Sequence, residues 1–95
     1  MRNQLLQQLL QQFKNIKTSL TNNVDTIGLL IKQAESLSAI AEKLSGAKPV
    51  EKILKKQLEK EVKNIRETIA KLIKETNNLF DLYYKFGDAL FKSKG

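Results

Sequence analysis

The chain has 95 residues, of which 17 are basic and 10 acidic, and its formal net charge is +7. That length allows one small domain with a modest core, and a hydrophobic content of 41% excludes a disordered tail. Cys, His and Trp do not occur, which excludes disulfides, thiolate metal sites and a histidine general base.

The first predicted element is an amphipathic helix over about residues 3–45. Apolar residues recur there every three or four positions and form a seam. Thr21, Asn22 and Asn23 are poor helix formers, and Asn22 could cap a new helix, which leaves a kink or a split into three helices open. We favour a continuous or kinked helix, because the seam passes this point in register. The seam comprises Leu6, Leu9, Phe13, Ile16, Leu20, Val24, Ile27, Ile31, Ala34, Leu37, Ala41 and Leu44.

A short loop is predicted next, at Ser45–Lys48. Gly46 suits the left-handed conformation that closes a helix, and Lys43 lies where it favours the negative end of the helix dipole. Pro49 suits the first turn of the following helix, and Glu51 lies near its positive end. So short a connection predicts that the flanking helices are antiparallel neighbours.

The second predicted helix spans about residues 49–92. Glu and Lys alternate every fourth residue from Glu51 to Glu75, an order that favours i,i+4 ion pairs. Its apolar seam has one polar member, Thr76. The seam comprises Val50, Leu54, Leu58, Val62, Ile65, Ile69, Ile73, Thr76, Phe80, Tyr83, Phe86 and Leu90.

Together these elements predict an all-α antiparallel helix–loop–helix hairpin that forms a single domain over residues 1–95. Pairing about the loop places Phe13 near Leu82, and Leu9 near Phe86. Two packed helices leave part of each apolar stripe uncovered, so we expect self-association into a helical bundle.

The end of the hairpin opposite the loop carries more apolar side chains than one helix pair can bury. All six aromatic residues lie there, five of them on the second predicted helix. Since aromatic residues are enriched at interfaces, we predict a homodimer or partner interface, with a third helix contact in the monomer as the alternative. The candidates are Leu5, Leu6, Leu9, Leu10, Phe13, Phe80, Tyr83, Tyr84, Phe86, Leu90 and Phe91.

A basic face is predicted on the second helix, opposite its seam. Five lysines project within about 80° of one another on an ideal helix. Such a face can bind phosphates, but aromatic residues do not interleave with these lysines, so a solvated face is favoured over nucleic-acid binding. The lysines are Lys52, Lys56, Lys60, Lys63 and Lys74.

The sequence therefore predicts a non-enzymatic protein-interaction module: an adaptor, a scaffold or a structural subunit. We expect a protein partner, further copies of the chain, or both, and no cofactor or small-molecule substrate. A basic filament or capsid subunit associated with nucleic acid is the alternative. No apolar run is long enough to predict a transmembrane segment or a signal peptide. The compartment is undetermined; the cytoplasm is the default expectation, and secretion without a leader stays open.

Two short motifs connect this layout to a known family. Leu44-Ser45-Gly46 lies in the central loop, and Tyr84-Lys85-Phe86-Gly87-Asp88 fits the pattern Y-x-x-x-D/E near the C-terminus. The chain resembles the WXG-type small helical hairpins exported by type VII secretion, although Leu44 stands where that family has Trp and the charge is basic instead of acidic. The resemblance implies leaderless secretion, dimers and an adaptor or effector-partner role.

Overall fold

The computed structural model describes the backbone over residues 2–94 and the side chains over residues 3–92. It contains two long helices, α1 (Arg2–Lys43) and α2 (Pro49–Lys94), packed antiparallel as a helical hairpin. The predicted all-α hairpin is thus confirmed, with α1 ending two residues earlier than expected and α2 two residues later.

Helix α1 runs without interruption through the segment where a split was considered. The Thr21 hydroxyl donates to the Lys17 carbonyl oxygen at 3.0 Å, and the Thr18 hydroxyl donates to that of Lys14 at 3.1 Å. Because these hydroxyls bond to carbonyl oxygens of the preceding helical turn, they do not favour a non-helical backbone at this point. The two-helix prediction is therefore confirmed, and the three-helix alternative is not.

The helices form two compact units, which we treat separately. The loop unit comprises Thr26–Ile73, and the terminal unit comprises Met1–Asp25 with Lys74–Gly95. In each unit the buried residues belong to the predicted seams. They are Ala34, Ala41 and Val62 in the loop unit, and Leu20, Thr76 and Leu90 in the terminal unit.

Polar groups close the loop between the helices. Gly46 has a φ of 70°, as its predicted left-handed role requires. The Ser45 hydroxyl donates to the Glu51 carboxylate at 2.7 Å and accepts from the Ala47 backbone N–H at 3.3 Å. Lys55 Nζ donates to the Leu44 carbonyl oxygen at 3.5 Å, and so satisfies a group left free beyond the end of α1.

The predicted ladder of Glu and Lys on α2 does not form ion pairs. Over residues 3–92 the structure contains one ion pair, between Lys92 Nζ and Asp88 Oδ2 at 3.1 Å. Glu51 and Lys55, the first two members of the ladder, bond to the loop instead of to each other. Exposed pairs of long side chains gain little free energy because of solvent screening and lost side-chain entropy, which accounts for the difference.

Candidate functional site: the aromatic end of the terminal unit

The site is built around a ring pair that joins the two helices of the terminal unit. Phe13 stacks on Tyr83 with ring centroids 4.5 Å apart and an interplanar angle of 18°. Tyr84 meets Tyr83 edge to face, with centroids 6.1 Å apart and planes at 78°. Such pairs contribute about 0.5–1.5 kcal/mol beyond the area they bury. The stack fixes which turns of α1 and α2 lie opposite each other.

Gly87 makes room for the Phe13 ring. A Cβ atom built on Gly87 would lie 3.3 Å from Phe13 Cε2, closer than ordinary van der Waals contact. Phe13 therefore fits between Tyr83 and Gly87, one helical turn apart on α2. The predicted register placed Phe13 in the neighbourhood of Leu82, and Tyr83 is the next residue along α2. Leu82 is exposed, because it lies outside the seam of α2.

The other predicted interface residues fall into three groups. Phe91 and Tyr84 are the most exposed, at 80% and 69%. Leu90 is buried and Phe86 is half-buried, so both contribute more to the helix pair than to its outer surface. The remaining exposed candidates are Leu5, Leu9, Leu10 and Phe80, and the remaining half-buried ones are Leu6, Phe13 and Tyr83.

Two open grooves lie between the helices of this unit. One has a volume of about 330 Å³; Leu20, Val24, Phe80 and Tyr83 are among the residues that line it, and Lys17 and Asp25 add charge. The other, of about 240 Å³, is lined by Leu10, Phe13, Gly87, Leu90 and Phe91. Most of the residues that line these two grooves are apolar. Gly87 was not among the predicted site residues. The signal that could have identified it is its position four residues after Tyr83, an aromatic residue of the seam.

The loop unit has a groove of a different kind. Its apolar lining consists of Ala41, Val62 and Ala70, while Glu59, Lys63, Arg66 and Glu67 supply two acidic and two basic side chains. Four of the five predicted basic-face lysines belong to this unit, namely Lys52, Lys56, Lys60 and Lys63, and all four are exposed. Lys74 is exposed too but belongs to the terminal unit.

Comparison with known proteins finds no matching family model, no matching curated protein and no matching solved structure. The resemblance to WXG-type hairpins therefore stays a prediction. Its loop motif, Leu44-Ser45-Gly46, does lie between the two helices, and Tyr84 and Asp88 lie on α2.

Two further findings concern the described residues alone. Neither helix has a stretch long and apolar enough to cross a membrane over that part of the chain. The same residues contain no cluster of three or more His, Cys, Asp or Glu side chains that could hold a metal ion.

Proposed function

We propose that this chain is a non-enzymatic interaction module that binds a protein partner or further copies of itself through the aromatic end of the terminal unit. The observation that carries the proposal is the exposure of Phe91 and Tyr84 beside two apolar grooves. Exposed aromatic side chains next to apolar grooves are typical of surfaces that are buried on association.

The packing of the unit supports the same conclusion. A pair of helices forms one contact layer, and further helices are needed to cover the remaining apolar surface. The exposed Leu5, Leu10 and Leu82 add to that surface. An adaptor, a scaffold and a structural subunit would each use it in the same physical way, by burying it against another helix.

The test compares two apolar-to-acid changes. Phe91→Asp places a charge in the proposed interface, and Leu29→Asp makes the same kind of change at a residue of the loop unit that is 68% exposed. We expect Phe91→Asp to weaken association at least about tenfold, since central aromatic residues carry much of the binding energy, and Leu29→Asp to change it less than about twofold. Light scattering after size exclusion measures the molar mass against concentration.

Circular dichroism provides the control that both variants stay helical. A wild-type chain that stays monomeric at millimolar concentration, with no change in the Phe91→Asp variant, would contradict the self-associating form of the proposal.

Repeating the titration at low and physiological salt addresses the nucleic-acid alternative. Binding through the exposed lysines to a DNA or RNA probe would weaken steeply with salt, whereas apolar association would not.

A further inference from the structure

A second row of residues at helical spacing lies on α2 of the terminal unit, beside the residues that contact α1. Its four members follow one another at steps of four, three and four residues and lie within about 60° of one another on an ideal helix. The row is centred about 70° from Tyr83, which stacks on α1. We call it the aromatic row. It comprises Phe80, Tyr84, Gly87 and Phe91.

The aromatic row consists of uncovered rings and one gap. Phe80, Tyr84 and Phe91 are exposed to 40%, 69% and 80%. Gly87 is half-buried and has no side chain, so the row is interrupted there. The groove of about 240 Å³ that Gly87 and Phe91 help to line opens at this gap. The row therefore offers large side chains and a place for a large side chain on the same face.

The spacing of the aromatic row reads the same in both directions along α2. Steps of four, three and four residues lead from Phe80 to Phe91, and the same steps lead back. Two such rows that point in opposite directions therefore match at every position. Phe80 of one lies opposite Phe91 of the other, and Tyr84 lies opposite Gly87, so that each tyrosine ring covers a gap.

We propose that the aromatic row is covered by the aromatic row of a second copy of this chain, with the two α2 helices antiparallel. The proposal rests on the proposed function and names its partner. In a two-fold pair, residue i of one copy contacts residue j of the other and the reverse, a condition that this row meets with its own four residues. Since α1 packs beside α2 in each copy, the terminal units then form a four-helix bundle.

A pair with the copies pointing in the same direction fits less well. In a two-fold pair of that kind, equivalent residues lie at one level, so Tyr84 would face Tyr84 and Gly87 would face Gly87. The first contact is crowded and the second leaves a cavity. Both overpacking and cavities are costly, so side-chain size selects the antiparallel pair.

Charges near the aromatic row favour neither direction. Both helices carry both signs there, and Asp88 is already paired with Lys92 at 3.1 Å. The other charged residues near the row are Lys74, Asp81 and Lys85 on α2, and Lys14, Lys17 and Asp25 on α1. We therefore expect the affinity to change less than about threefold between low and physiological salt.

The experiment measures the direction of the pair with spin labels. The chain has no cysteine, so one introduced cysteine carries one label per copy. Asn77 is exposed and lies about eight residues before the level of the two-fold axis, so the labels of Asn77→Cys should lie about 25 Å apart along the helices. In the same-direction pair they would lie at one level, across helices about 8–10 Å apart. Double electron–electron resonance measures the longer distance, and broadening of the continuous-wave spectrum detects the shorter one.

Lys85→Cys is the control for the position of the contact. Lys85 is exposed and lies at the level of the axis, so its two labels should be within about 20 Å in either direction of pairing. Labels more than about 40 Å apart at this position would place the contact away from the aromatic row and overturn the proposal. A wild-type chain that is monomeric at millimolar concentration would overturn it as well.

Two alanine variants test whether the row itself carries the affinity. Tyr84→Ala removes a ring that is 69% exposed, so the hairpin should stay folded while association weakens at least about tenfold. Leu82→Ala, on the opposite side of α2, is the matched control and should change association less than about twofold. Equal effects of the two variants would overturn the proposal. If Phe91→Asp weakens association but the Asn77→Cys labels lie at one level, the proposed function survives and only the antiparallel pairing fails.

Discussion

The loop unit and the terminal unit are built from the same two helices but differ in the size of the side chains that join them. The loop unit buries Ala34, Ala41 and Val62, and its groove is floored by small residues. The terminal unit is joined by the rings of Phe13 and Tyr83. One neighbouring helix can cover an alanine completely, but it cannot cover a ring of about 150–250 Å² from all sides. The terminal unit therefore exposes aromatic side chains such as Phe91 and Tyr84, whereas the large apolar side chains exposed in the loop unit are aliphatic.

Polar contacts sharpen the same comparison. The loop unit is closed by Ser45, Glu51 and Lys55, whose bonds hold the helix ends at the loop. The terminal unit has an exposed ion pair, Lys92 with Asp88, and such a pair contributes little. The contact between the helices is therefore held by polar bonds at the loop in the loop unit, and by stacked aromatic rings in the terminal unit.

The largest expected effect on stability comes from Phe13→Ala. It removes the ring stacked on Tyr83 and leaves a cavity beside Gly87, so the free energy of unfolding should fall by about 2–3 kcal/mol. Amide hydrogen exchange should show the loss of protection mainly in residues 2–25 and 74–94. An equal loss in residues 26–73 would mean that the two units do not open separately.

The loop unit is tested by Gly46→Ala. Gly46 has a φ of 70°, which a side chain makes costly, so the free energy of unfolding should fall by about 1 kcal/mol. Gly46→Asn is the matched control, since asparagine tolerates this conformation better and should cost less. Urea denaturation measures both variants. Equal costs would show that the left-handed conformation is not what the loop needs from this residue.

The smallest effects come from the two helical glycines. A Cβ atom on Gly28 meets nothing within 4 Å, so Gly28→Ala should raise the free energy of unfolding by about 0.5–1 kcal/mol. Gly87→Ala gains the same helix propensity, but its methyl group would press on Phe13, so the net gain should be less than half as large. Thermal unfolding compares the two. A full gain at Gly87 would show that the Phe13 ring shifts freely.

Periodicity alone predicted which faces of the helices are buried. Over residues 3–92, all six buried residues lie on the predicted seams, including the polar Thr76, and Gly46 and Pro49 bracket the turn as expected. These features are local, because each depends on residues three or four apart or on one backbone conformation. The predicted division into two helices is also confirmed, since it too rests on local signals.

Charge pairing and the individual partners of the Phe13 ring could not be predicted in this way. Phe13 lies in the predicted neighbourhood of Leu82, but its partners are Tyr83 and Gly87, because a side chain of one helix fits between side chains of the facing helix. Glu51 and Lys55 were expected to pair, but both found partners in the loop. Such choices depend on which groups the folded chain brings within reach, and spacing along one helix does not contain that information.

The bond from Lys55 to Leu44 also has a consequence for chain entropy. It joins residues 11 positions apart, whereas Phe13 and Tyr83 are 70 apart along the chain. Closing the longer loop first would cost about 1.6 kcal/mol more, because the cost grows with the logarithm of loop length. Once the turn is closed, each further contact between the helices closes only a short additional loop, so this extra cost is not incurred. Chain entropy therefore favours closing the turn before the ring stack forms.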